Sequence, residues 1–146
     1  MSEDPPPRPL GWWLKHVDAL LDRSFEATIR ARNVSRRQWQ ILNGLAEGTP
    51  AKELLDSLTV FESAAGVQAA LDALDRRGWV NIGDADDVAS DGAVQLSDEG
   101  REQHAHISAD VRAMRTAVTE GLSADDYRAV VSGLARIADN LERRLA

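Results

Sequence analysis

Three groups of side chains in this sequence have types and spacings that could do chemistry. The first is basic. Arg36 and Arg37, Lys52, and Arg76 and Arg77 form small cationic clusters, and Ser63 and Gln68 lie between them. Guanidinium and ammonium groups suit phosphate oxygens, because they neutralise charge and displace condensed counterions. A hydroxyl and an amide can donate to or accept from base edges. The second group is aromatic: Trp12, Trp13, His16 and Trp39. Large rings with polar tips suit an apolar pocket with a few orienting groups. The third is acidic, the stretch DADDVASDG at 84–92, with Asp84, Asp86, Asp87 and Asp91 and no Lys or Arg. Each group has a plainer alternative. The cations could be solvated surface charge, with Arg76 and Arg77 pairing with Asp72 and Asp75; the rings could be core or interface packing; the aspartates could form a solvated loop.

Other chemistries find little support. Calcium in an EF-hand loop needs glycine sixth and glutamate twelfth. Counting from Asp84, those places hold Ala89 and Gln95. His16, His104 and His106 are too few and scattered for zinc, and exposed helix surface is the expected place for the last two. His104 and His106 point apart on a helix, whereas His106 and Asp110 could share a face. No metal site and no cofactor is expected. Nucleophile motifs, phosphate loops and dinucleotide fingerprints are absent, so an enzyme is not expected.

The elements that must position these groups belong to a chain of 146 residues, the length of one ordinary domain. Without cysteine it has no disulfides or thiolate sites, and a reducing cytoplasm is the expected location. Residues 1–9 read as a disordered Pro-rich tail, with no apolar run to make a signal peptide or membrane anchor. The net charge of −7 argues against nucleic acid, but its distribution matters more. Residues 51–100 hold three basic and eleven acidic side chains, a net of −8, so the flanks carry the other fourteen Lys and Arg.

Apolar residues at Leu14, Val17, Leu21 and Phe25 recur at a helical period, predicting a long first helix from Leu10 to about Arg32. Ser35 and Gln38 form a capping box for a second helix over 36–47, and Gly48 suits its left-handed stop. Thr49 can cap a short third helix to Leu58, with Pro50 in its first turn. Ser63 can cap a fourth to Arg77, with Val67, Ala70, Leu71 and Leu74 inward and Ala65, Gln68, Ala69 and Asp72 outward. WVNI and AVQL, joined by the acidic stretch, predict a hairpin. Ser97 caps a fifth helix with apolar Ile107, Val111, Met114, Val118 and Leu122. A sixth begins at Ser123 and carries Tyr127, Val130, Val131, Leu134, Ile137, Leu141 and Leu145 on one stripe. A stripe this continuous needs a partner, and a second copy of the chain would supply it.

From Val34 to Gly100 the sequence resembles the MarR (multiple antibiotic resistance regulator) family of winged-helix regulators. The resemblance is carried by VSRRQWQIL with Leu45, the Leu54–Leu58 helix, LDALDRRGWV after Ser63, and VQLSDEGRE. The last two look like the family's Leu-x-x-Arg-Gly-Leu-Val and Val-x-Leu-Thr-x-x-Gly signatures. The resemblance implies a mainly α (α+β) fold, with one MarR-like domain over 10–146. Within it, 34–97 form a winged helix-turn-helix, and 10–33 and 98–146 are N- and C-terminal dimerisation helices. It also implies a homodimer reading a palindromic operator in double-stranded DNA. The expected function is a ligand-responsive repressor taking a small lipophilic or phenolic effector. Arg36, Arg37, Lys52, Ser63, Gln68, Arg76 and Arg77 are the candidate DNA contacts, and Trp12, Trp13, His16 and Trp39 the candidate pocket. Where the family carries arginines in its wing, this chain has Val88, Ala89 and Ser90. The acidic wing keeps a second expectation open: a protein-interaction or ligand-binding module of the same fold that does not engage DNA.

Overall fold

The computed structural model of the chain describes Asp4, residues 6–83 and residues 93–146. The acidic stretch 84–92 lies outside the described residues, and with it the expectations of a solvated loop and of no calcium there. Among the described residues the order is α1 (Leu10–Arg30), α2 (Arg36–Ala46), α3 (Ala51–Leu58), α4 (Ala64–Arg76), β1 (Val80–Ile82), β2 (Val94–Leu96), α5 (Asp98–Val118) and α6 (Ala124–Leu145). This is the expected mainly helical winged-helix arrangement.

Local sequence explains most boundaries. The Ser35 hydroxyl accepts from the Gln38 N–H at 3.2 Å, and the Gln38 side chain accepts from the Ser35 N–H at 3.1 Å, so two otherwise free donors are satisfied reciprocally. After α2, Gly48 takes a φ of 85°, open to a residue without a Cβ. The third helix departs from expectation: Thr49 does not cap it. Its N–H turns back to the Gly44 carbonyl at 3.0 Å and closes α2, while Pro50 becomes the N-cap with no side-chain cap bond. Ser63 does cap α4, accepting from the Gly66 N–H at 3.0 Å.

The hairpin is antiparallel, with Val80 opposite Leu96, Asn81 opposite Gln95 and Ile82 opposite Val94. Two-residue alternation buries Val80, Val94 and Leu96 and exposes Asn81 and Gln95. The two signature stretches close on each other at its base. The Ser97 hydroxyl donates to the Gly78 carbonyl at 2.5 Å and accepts from the Gly100 N–H at 3.0 Å, and the Ser97 N–H reaches the Trp79 carbonyl at 3.0 Å. Gly100 is glycine because a Cβ there would run into the Trp79 backbone.

Two compact units divide the chain, one ending at Arg112 and the other Ala113–Ala146. The first holds the core: Ile29 of α1, Ile41 and Leu42 of α2, Leu74 of α4 and Ile107 of α5 are fully buried. In the second, α6 starts from a capping box of Ser123 and Asp126 and has no buried residue. Tyr127, Val130, Val131, Leu134 and Leu141 are exposed along it. Leu122 does not continue the α5 stripe, since α5 ends at Val118 and Leu122 follows Gly121, whose φ is 86°. No helix among the described residues is long and apolar enough to cross a membrane.

Candidate nucleic-acid interface

Helices α3 and α4, joined by the turn 59–63, form the helix-turn-helix, and the hairpin follows α4 directly. Burial of Val67, Leu71 and Leu74 rotates Ala65, Gln68, Ala69 and Asp72 to the outer face. Ser63 stands exposed at the helix start, with its oxygen already engaged as the cap. Gln68 is exposed, and its amide donates to Asp72 at 2.9 Å, one helical turn on. That bond uses one of the two amide N–H groups, which leaves the other N–H and the carbonyl oxygen for a base edge.

The five candidate cations occupy three kinds of environment. Lys52 and Arg76 are exposed, and no hydrogen bond or ion pair joins either to another described residue. Arg36 lies 3.4 Å from both Asp22 and Glu26 and stacks over Phe25. Arg37 donates to Gln40 at 2.7 Å and to the Phe61 carbonyl at 3.1 Å, holding the α3–α4 turn against α2. Arg77 is the most committed. It donates to the carbonyls of Asn33 at 2.7 Å and Arg32 at 3.3 Å, and its guanidinium lies 3.7 Å from the Trp79 ring centroid. The anticipated pairing of Arg77 with Asp72 or Asp75 is replaced by this bridge. Local spacing favours helical neighbours, whereas folding brings the free carbonyls at the end of α1 within reach.

The four aromatic candidates separate into two arrangements. Trp12, Trp13 and His16 cluster on α1, with Trp12 stacked on His16 at 4.6 Å and edge-on to Trp13 at 4.8 Å; Arg8 caps the column over Trp12. Trp39 is buried and stacks on His104 of α5 at 5.2 Å and 9°.

His104, expected on exposed helix surface, is instead partly buried. Its Nε2 lies 3.0 Å from the Asn43 side-chain oxygen and 3.3 Å from the Ser108 hydroxyl. Burial pushes its pKa below the usual imidazole range, partly offset by the Glu47 carboxylate, so the neutral ring is favoured. His106 pairs with Glu102 at 3.8 Å. Asp110 bonds Arg32 at 2.7 Å, and that hydrogen bond holds the Asp110 carboxyl below the usual carboxylate range, with a smaller contribution from His106 on the shared face. Sequence reading missed Arg32, Asn43 and Ser108, whose partners lie 61 and 78 residues away or depend on such a partner. Only the helical spacing of His104 and Ser108 carried a local signal.

No family model and no curated relative matches the sequence. Solved structures do. Wild-type MarR of E. coli, in its apo form, is 19% identical with a TM-score of 0.66, over 91% of this chain and 98% of that one. A MarR family protein of Mycobacterium tuberculosis in complex with DNA is 22% identical with a TM-score of 0.66, over 89% and 98%. The same protein in complex with p-aminosalicylic acid is 22% identical with a TM-score of 0.63, over 90% and 99%. The fold of this chain is therefore that of the MarR winged-helix proteins.

Proposed function

We propose that this chain is a homodimeric, MarR-like DNA-binding transcriptional regulator acting in the cytoplasm as a ligand-responsive repressor. The observation that carries the reading is the outer face of α4: capped by Ser63, free of packing, and followed at once by the hairpin, in a fold that a M. tuberculosis protein uses on DNA. Of the five candidate cations, Lys52 and Arg76 are those free to meet phosphate, and Ser63 and Gln68 are the candidate groups for reaching bases. Arg36 and Arg37 would meet phosphate with the N–H groups their existing partners leave over.

Dimerisation is supported by apolar surface. Leu14, Val17, Leu20 and Leu21 on α1 and Val130, Val131, Leu134 and Leu141 on α6 are all exposed in the single chain. Fully burying one such side chain is worth about 1.5–3 kcal/mol. A second copy gives both stripes a partner, and it pairs the reading helices for a palindromic operator. For the effector, a small lipophilic or phenolic molecule, the Trp12, Trp13 and His16 cluster is the candidate contact. Trp39 would take part only by releasing His104.

Fluorescence anisotropy with a duplex from the gene's own upstream region, at 50 and 200 mM salt, tests the reading. Sequence-dependent binding that weakens steeply with salt is expected. A second reading, a module of the same fold that does not engage DNA, is favoured by the net charge of −8 over residues 51–100. Absence of binding even at 50 mM salt would select it.

A further inference from the structure

Beyond Ala31, the C-cap of α1, the turn into α2 leaves two carbonyls, those of Arg32 and Asn33, to be satisfied from elsewhere in the fold. Asn33 is in the left-handed region at φ 57°, which turns the chain from α1 into α2. The two carbonyls are satisfied from 44 and 45 residues away by one side chain, Arg77, at the end of α4. A guanidinium is suited to this: its planar fork serves two acceptors at once, its charge complements the negative end of α1, and its face lies on the Trp79 ring. The side chain of the same Arg32 reaches away to Asp110 of α5 at 2.7 Å. The turn 32–33 is thus held on one side by the reading helix and the first strand, and on the other by α5.

We propose that Arg77 is a positioning residue and not a phosphate contact: it fixes α4 and the base of the hairpin to the α1–α2 turn. Through Arg32 and Asp110 this turn couples the orientation of the reading head to α5. The proposal rests on the DNA-binding reading for its functional consequence, whereas its structural half stands without DNA. Three groups of observations support it. Both carbonyl acceptors and the ring occupy the Arg77 head. Its neighbour Arg76 remains exposed, with no described partner. Trp79, on which Arg77 lies, is itself buried, and its backbone receives the Ser97 N–H that closes the hairpin.

A phosphate contact and a positioning residue respond differently to Arg77→Lys. Lysine keeps the charge, so a phosphate contact would retain most of its affinity and its salt dependence. It cannot fork to two carbonyls while lying flat on Trp79, so a positioning residue would fail. The experiment measures anisotropy of the full-length protein on its upstream duplex and on a scrambled duplex across a salt series. Amide hydrogen exchange at Val34 and Trp79 is followed in parallel. Arg77→Lys is expected to weaken specific binding about tenfold, the scale of one lost charge-assisted hydrogen bond. Affinity for the scrambled duplex and the salt slope should stay unchanged. Arg76→Ala should instead lower the slope by about 1 and weaken both duplexes alike. Exchange at Trp79 should quicken several-fold in Arg77→Lys and, through the shared turn, in Asp110→Asn, but not in Lys52→Ala.

A lysine variant that binds as wild type with unchanged exchange would overturn the proposal. So would an Arg77→Ala variant whose loss appears as a reduced salt slope on both duplexes. If the wild-type protein binds neither duplex while the exchange responses appear as expected, the DNA-binding reading falls and the coupling through the turn stands. If binding is present and Asp110→Asn leaves Trp79 exchange unchanged, the coupling to α5 falls.

Discussion

In α2, Trp39, Ile41 and Leu42 are all buried, and the helix is 11 residues long. In α6, twice that length at 22 residues, none is buried, although Val130, Val131 and Leu134 also fall on one helical face. Both helices begin with a capping box, so local start signals do not distinguish them. The difference is the neighbourhood. Helix α2 packs against α3, α4 and β2 of its own chain, whereas the α6 stripe is exposed and stays available to a second copy. An amphipathic pattern states that a face wants burial; it does not state by whom.

The largest expected effect breaks the α6 half of that contrast. Val130→Asp together with Leu134→Asp should leave a folded single subunit at micromolar concentration in sedimentation, where the native protein is expected to run as a dimer. A dimer that survives both charges would place the interface elsewhere. In the head, Leu42→Ala should lower stability to chemical denaturant by about 2–5 kcal/mol, the usual effect of a fully buried leucine lost to a cavity. A change below about 0.5 kcal/mol, the range of ordinary surface substitutions, would show that the α2 core is not close-packed.

Capping sharpens the comparison further. Ser35→Ala should lower the stability of the head by about 1 kcal/mol. Ser123→Ala should instead show itself in the dimer, as a concentration-dependent fall in melting temperature. Equal, concentration-independent shifts would argue that α6 folds with the head.

The smallest effect is with pH. His104 has its pKa lowered in the folded chain relative to its ordinary value of 6.5, so the unfolded chain binds more protons below that value. The head should lose stability as pH falls from 6.5 toward the folded pKa, and His104→Gln should flatten that slope. Trp39 emission should report the same titration through the stacked ring. An unchanged pH profile in the variant would remove His104 as its source.

Much of the head is legible in the sequence. Ser35 with Gln38, Ser63, Gly48 and Gly78 mark helix ends by local chemistry, and the Val67, Leu71, Leu74 spacing sets which face of α4 points outward. Thr49 misleads because a residue of cap type before a proline can close the preceding helix as easily as open the next. The candidate interface is less legible. Charge type suggests Arg36, Arg37 and Arg77 as phosphate contacts, yet their partners in the fold include Phe61, Asn33 and residues of α1. Those pairings span 10 to 45 residues and leave no periodic trace.

The amino-acid order alone determined the helices, the two-residue alternation of the strands, and the apolar stripes on α1 and α6, because each is a pattern repeated within a few residues. Only the tertiary structure decided which cations are spent within the fold, that His104 is desolvated against Trp39, and that Asp110 belongs to Arg32. Those outcomes depend on distances between groups far apart in the chain, and such distances exist only once the core around Ile41, Leu42 and Leu74 has closed.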